Sequence, residues 1–229
     1  MNWWLQPLLY PKNSGPSSVR ENVAIGEVLA DIYIPAATPA PIVFLIHGGP
    51  IPQGAQMKNI PLYRDYGRLL AGEGFVAVTF GHRYHAANDF TQSAADVSAV
   101  IDYVRADGAG DPDNVVLWAF SGGGPLLALG FDKPYVRALV DYYAVLEGEP
   151  LARAAEIRVP MLIARAGKDM PLVNEPLGRF LDAALANGVE LELLNHAAGE
   201  HGFDIVNDDA RTRQIIARTL AFLRELRSL

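Results

Sequence analysis

The chain contains no cysteine. Disulfides, thiolate metal sites and a cysteine nucleophile are thereby excluded, and reactive groups must come from Ser, Asp, Glu, His or Lys. No apolar run exceeds strand length, so nothing in the sequence reads as a membrane span. The opening MNWWLQPLLYPKNSGPSS has no basic start, no long apolar stretch and no small-residue cleavage site. That is not the pattern of a secretory signal, and a cytoplasmic location is the expectation. Clustered Lys and Arg are also missing and the net charge is -7, which speaks against nucleic acid as a partner.

What is present suits a large core. Half of the 229 residues are hydrophobic and a fifth are charged, so one globular domain over 1–229 is expected, with residues 1–22 as a lead segment packed on it. Residues 28–35 (VLADIYIP) alternate like a peripheral strand stopped by proline. Residues 42–46 (IVFLI), 75–80 (FVAVTF), 115–119 (VVLWA), 136–140 (VRALV) and 160–164 (PMLIA) are short and largely apolar. Such runs mark strands buried on both faces. Residues 189–194 (VELELL) alternate and suit a place nearer an edge.

Helix-length segments fall between these runs, at 63–73, 92–105, 177–186 and 211–226. The second carries Val97, Val100, Ile101 and Val104 on one face, and the last carries Ile216, Leu220, Leu223 and Leu226. Strands alternating with helices predict an α/β fold with a mostly parallel central sheet flanked by helices. Ligands in such sheets gather at the carboxyl ends of the strands.

The loops at those ends carry the chemistry. Ser121 sits in VVLWAFSGGGPLLALG, a buried strand, a Gly-rich corner and an apolar helix start. A serine at such a corner is held in a strained backbone that lifts its hydroxyl clear of the sheet. The pattern G-x-S-x-G is met except that Ala119 replaces the first glycine, a difference of one methyl. The helix start at Gly122 would also direct N–H groups at the reacting centre. A glycine turn that merely packs helix on strand is the plainer reading. A phosphate loop is excluded, because Pro125 stands where Lys would be needed.

His47-Gly-Gly-Pro50 directly follows the run 42–46. Glycines there let backbone N–H groups approach a developing oxyanion. Pro50 has no N–H, so the expected donors are Gly49 and Gly122. Asp169 follows the run 160–164 and can orient an imidazole; Asp141 and Glu175 are the alternatives. His201, in NHAAGEHGFD after the last strand, is placed to relay a proton near neutral pH, with His196 the competitor but better suited to a structural role. Ser, then Asp, then His, each after its own strand, is the chain order of a strand-corner serine triad. Tyr84, Met170 and Phe203 are expected to line the substrate pocket. His82 and His85 have a spacing that suits a metal, but no third ligand or HExxH pattern accompanies them, and no metal or organic cofactor is expected. Arg83 is expected to brace the oxyanion loop or a neighbouring carboxylate.

In their order, HGGP, AFSGG, AGKD and GEHGF resemble the α/β-hydrolase superfamily over nearly the whole chain. Residues 92–124 are similar to esterase-lipase members, and ALVDYY at 138–143, with the short spacings, resembles dienelactone hydrolase relatives. The best-known of those use Cys as nucleophile, so Ser121 favours the esterase branch. The resemblance implies a single-domain fold with an eight-stranded, mostly parallel sheet and hydrolysis through an acyl-enzyme. Residues 142–159 leave little or no room for a cap, so a fairly open cleft is expected. The expected function is cleavage of a small carboxylic ester. A peptidase or thioesterase on the same groups, or a binding protein that has lost turnover, are the rivals. The expected partner is a small-molecule ester, with no membrane. A homo-oligomer stays open, since the aromatic pair Trp3-Trp4 could cover this chain's core or another subunit.

Overall fold

The computed structural model describes residues 3–87 and 89–226. The side chain of Trp3 lies outside the described residues, and that of Trp4 is half-exposed. Eight strands form one sheet: β1 (Ser18–Ile25), β2 (Val28–Ile34), β3 (Pro41–Ile46), β4 (Val76–Phe80), β5 (Asp111–Phe120), β6 (Val136–Tyr142), β7 (Met161–Ala166) and β8 (Leu191–His196). Their spatial order is β1-β2-β4-β3-β5-β6-β7-β8. The strands from β4 to β8 in this order run parallel, while β1 pairs antiparallel with β2 and β2 with β4.

The helices cover both faces. Helix α1 (Pro61–Gly72) and helix α6 (Ala210–Glu225) lie on one face, α2 (Thr91–Ala106) and α4 (Pro171–Ala186) on the other. Strand β3 explains why apolar runs without alternation belong here. Ile42, Phe44 and Ile46 enter the core under α2 and α4, and Val43 and Leu45 the core under α1 and α6. Every one is buried, and each large side chain so buried stabilises the fold by about 1.5–3 kcal/mol. Short helices α3 (Glu149–Ala152) and α5 (Phe203–Val206) sit in the loops after β6 and β8. The connection from β6 to β7 holds α3 and one turn of 3-10 helix, so among the described residues no sizeable cap covers the sheet. No helix among the described residues is long and apolar enough to cross a membrane.

Most element bounds shift by a few residues from the sequence reading, and three differences are larger. Residues 18–22, assigned to the lead, belong to β1, whose largely exposed side chains hide the strand pattern. The lead does pack on the sheet's helices: Leu8 is buried, and the Leu9 amide donates to the Asp204 carbonyl at 2.8 Å. Helix α4 begins at Pro171 rather than 177, with Pro at its first position, where the missing N–H costs nothing. The segment after Ser121 is a ten-residue 3-10 helix, Ser121–Gly130, with Pro125 inside.

Candidate active site

From β3 the chain steps to β4 on one side and returns to β5 on the other, which puts the topological switch between β3 and β5. That is where open α/β sheets bind ligands. Residues 47–50 follow β3 there and Ser121 follows β5. Ser121 has φ +53°, a left-handed conformation that an L residue adopts only under strain. Tight backbone contact forces the corner. A Cβ on Gly48 would stand 2.7 Å from the Ser121 Cβ, and one on Gly122 would stand 2.3 Å from the Gly49 carbonyl oxygen.

Ser121 Oγ lies 2.8 Å from His201 Nε2, and His201 Nδ1 lies 2.7 Å from Asp169 Oδ2. With the proton on Nδ1, the ring donates to Asp169 and accepts from the serine hydroxyl. The Asp169 side chain is fully shielded, and its Oδ1 accepts the Met170 amide at 2.7 Å. The imidazole is partly open to solvent. Gly49 and Gly122 both line the adjoining cleft, and among the described residues neither N–H has an acceptor.

The cleft has a volume of about 1040 Å³. Tyr84 and Met170 are among its lining residues. The Tyr84 ring backs Gly49 and stacks on Phe90 with centroids 4.6 Å apart. Phe203 does not line it. That expectation is corrected: the side chain is fully buried against Tyr142, Tyr143 and His196, because Gly202, at φ +73°, turns the chain inward after His201. The far lip carries Glu147, Glu149 and Arg153, which sequence patterns had not pointed out.

The competing residues have other partners. Asp141 is buried and accepts the Ala144 amide at 3.2 Å; burial, with the nearby Asp169 charge, holds its carboxyl well above the usual range. His196 is buried, with Nε2 3.2 Å from both Thr212 Oγ1 and Asp209 Oδ2. His85 Nδ1 lies 3.1 Å from the Ile51 carbonyl oxygen. Arg83 grips Asp96 of α2 through Nε and Nη2, the bracing of a carboxylate that its position suggested.

His47 and His82 form a unit that sequence reading missed. Their rings stack 3.6 Å apart. The His82 amide donates to His47 Nε2 at 3.1 Å, which leaves the His47 proton on Nδ1, 2.6 Å from the Gly48 carbonyl oxygen. His82 Nε2 donates to the His47 carbonyl at 3.0 Å. Burial lowers both rings' affinity for a proton, His82 to a pKa of about 4. Two neutral imidazoles thus fasten the loop that carries Gly48 and Gly49.

A BD-FAE family model matches residues 30–146, just over half of the chain. The chain belongs to that family. The BD-FAE match takes in residues 47–50 and Ser121 and ends before Asp169 and His201. Solved structures share the fold at low identity. A Klebsiella pneumoniae protein classed as a dienelactone hydrolase is 21% identical with TM-score 0.68, over 90% of this chain and 97% of that one. The propionate-bound esterase Est2 of Thermogutta terrifontis is 24% identical with TM-score 0.70, over 94% of this chain and 96% of that one. Puromycin hydrolase is 18% identical with TM-score 0.74, and this chain spans 40% of its length. No curated protein matches the sequence. The family match and the shared sheet topology make the chain a member of the α/β-hydrolase superfamily.

Proposed function

We propose that this chain is a serine hydrolase that cleaves small carboxylic esters through an acyl-enzyme. The observation that carries the reading is the unbroken hydrogen-bond path from Ser121 through His201 to Asp169. His201 Nε2 takes the hydroxyl proton as Ser121 Oγ attacks the ester carbonyl. The Gly49 and Gly122 amides receive the oxyanion, each donor lowering the barrier by about 3 kcal/mol. The imidazolium, held by Asp169, passes its proton to the departing alcohol. Water then attacks the acyl-enzyme with His201 as base, and Ser121 is regenerated.

A cleft without a sizeable cap among the described residues fits small or flexible esters, and Est2, an esterase of the same fold, binds the small carboxylate propionate. A panel of p-nitrophenyl esters, aminoacyl amides and acyl thioesters separates esterase from peptidase and thioesterase action. The decisive test is Ser121→Ala, which should abolish fluorophosphonate labelling and reduce ester turnover by at least about 10³-fold. Full turnover by that variant would end the proposal.

A further inference from the structure

Three residues after His201, Asp204 lies in α5 with its carboxyl fully buried. Oδ2 accepts the Tyr66 phenol of α1 at 2.9 Å, and Oδ1 accepts the Tyr143 phenol, just past β6, at 2.8 Å. Burial and the adjoining Asp204 charge push both phenols well above 10, so each keeps its proton and donates. Among the described residues no Lys or Arg is paired with this carboxyl. Tyr143 itself has φ +41°, a strained conformation that persists only where the surroundings impose it. In that pose its hydroxyl meets Asp204 while its ring stands edge-on to the His201 ring, 5.0 Å between centroids.

A buried carboxylate without a cation destabilises the fold. Tying α5 to α1 and β6 does not need the charge: Asn could hold both phenols, one donating to its carbonyl oxygen and the other accepting from its NH2. The charge acquires a counter-ion when His201 accepts the Ser121 proton. We propose that Asp204 is a second carboxylate behind the imidazole, a positioning residue that, through Tyr143 and Tyr66, favours the imidazolium form of His201 during turnover. This rests on the reading of Ser121, His201 and Asp169 given above. Asp204 exchanges no proton in the cycle; the proton moves between Ser121 Oγ, His201 Nε2 and the leaving group.

The groups facing Asp204 are Tyr63 and Tyr66 from α1, Tyr142 and Tyr143 from the end of β6, and His201 from its own loop. Burial raises the carboxyl to about 6, against the two phenol donors and His201, which pull it down. Above that pH the anion is present; below it the support is lost.

The test is Asp204→Asn, close in shape, with one acceptor oxygen and one NH2 for the two phenols, assayed on p-nitrophenyl acetate across pH. The expected result is a fall in kcat of about threefold to tenfold, the size of a charge interaction of up to one pKa unit, with KM unchanged. The acid limb of kcat/KM should move to lower pH, because an imidazole without the anion behind it protonates less readily. Tyr143→Phe should move that limb the same way but by less, since a carboxyl that loses a donor protonates at higher pH and supplies the anion over a narrower range. It also serves if the Asn variant does not fold. NMR of labelled histidine, assigned with His201→Gln, gives a readout independent of activity: the His201 ring should titrate at lower pH in Asp204→Asn than in the wild type. An unmoved ring titration and acid limb, whatever the fall in kcat, would reduce Asp204 to a structural tie and overturn the inference. Full turnover by Ser121→Ala would remove the underlying reading even if the ring titration moved.

Discussion

His201 donates to Asp169 at 2.7 Å, while Asp141, at the same end of the neighbouring strand β6, spends an oxygen on the Ala144 amide instead. Burial and the Asp169 charge favour the neutral form of Asp141, which makes it the weaker partner for an imidazolium. The two carboxyls should therefore respond differently to the same change. Asp169→Asn should lower kcat by about 10³- to 10⁴-fold, the loss expected when the acid of a triad is neutralised. Asp141→Asn should keep kcat within about threefold of wild type, as replacing one neutral group by another does. Steady-state kinetics on one ester decides it, and the reverse ranking would transfer the acid role to Asp141.

Gly122 tests the oxyanion loop. A methyl there would meet the Gly49 carbonyl oxygen at 2.3 Å, with the Gly49 nitrogen at 3.0 Å. These are backbone atoms, so the strain cannot be relieved by turning a side chain. Gly122→Ala should push the two amides apart and lower kcat by about 10²-fold or more, the cost of losing one oxyanion donor. Because the chemistry of Ser121 and His201 is untouched, Ser121 should still react with a small fluorophosphonate, only more slowly. Wild-type kcat in this variant would place the oxyanion elsewhere.

Sequence legibility followed burial. Strands β3 to β7 could be read because side chains facing two cores leave little room for polar residues, buried Thr79 and Asp141 being exceptions. Strand β1 could not, since at the edge only Ile25 is fully buried and the pairing with β2 shifts register between Arg20 and Val23. Ser121, Asp169 and His201 were legible because each follows a recognisable strand. Phe203 misled because an aromatic beside a reactive histidine reads alike whether it faces cleft or core, and the turn at Gly202 that decides the matter has no side chain to read. Tyr143 and Asp204 are 61 residues apart, and no local pattern joins them. The stack of His47 on His82 is equally non-local, built by the adjacency of β3 and β4.

That stack sets an acid limit. The His82 ring, ordinarily half-protonated near 6.5, is held neutral by burial down to about 4. Unfolded chains bind this proton first, so the stabilisation is complete above 6.5 and is lost as pH falls toward 4; a shift of this size amounts to about 3 kcal/mol. His82→Gln, which keeps a donor for the His47 carbonyl, should lose less stability than wild type over that window. Urea denaturation at pH 7.5, 5.5 and 4 measures the difference. Parallel losses in both proteins would show that His82 is not the group being charged.

Asp204 carries the opposite sign. Its carboxyl rises from an ordinary 3.8 to about 6 in the fold, so the folded chain binds this proton more tightly than the unfolded one. The benefit is complete below 3.8 and is lost as pH rises through 6, leaving the buried anion a cost of about 3 kcal/mol at neutral pH. Asp204→Asn should then be more stable than wild type at pH 7.5 and no more stable at pH 4, while turning over more slowly. Between pH 4 and 6 this slope opposes that of His82, so the wild-type curve alone conceals both, and each variant must be read as a difference from wild type. A variant that is slower and also less stable at pH 7.5 would mean that the carboxylate belongs to the scaffold. One that is slower but firmer means that the fold keeps an unfavourable charge where the imidazolium forms, the trade of stability for activity expected of a reacting site.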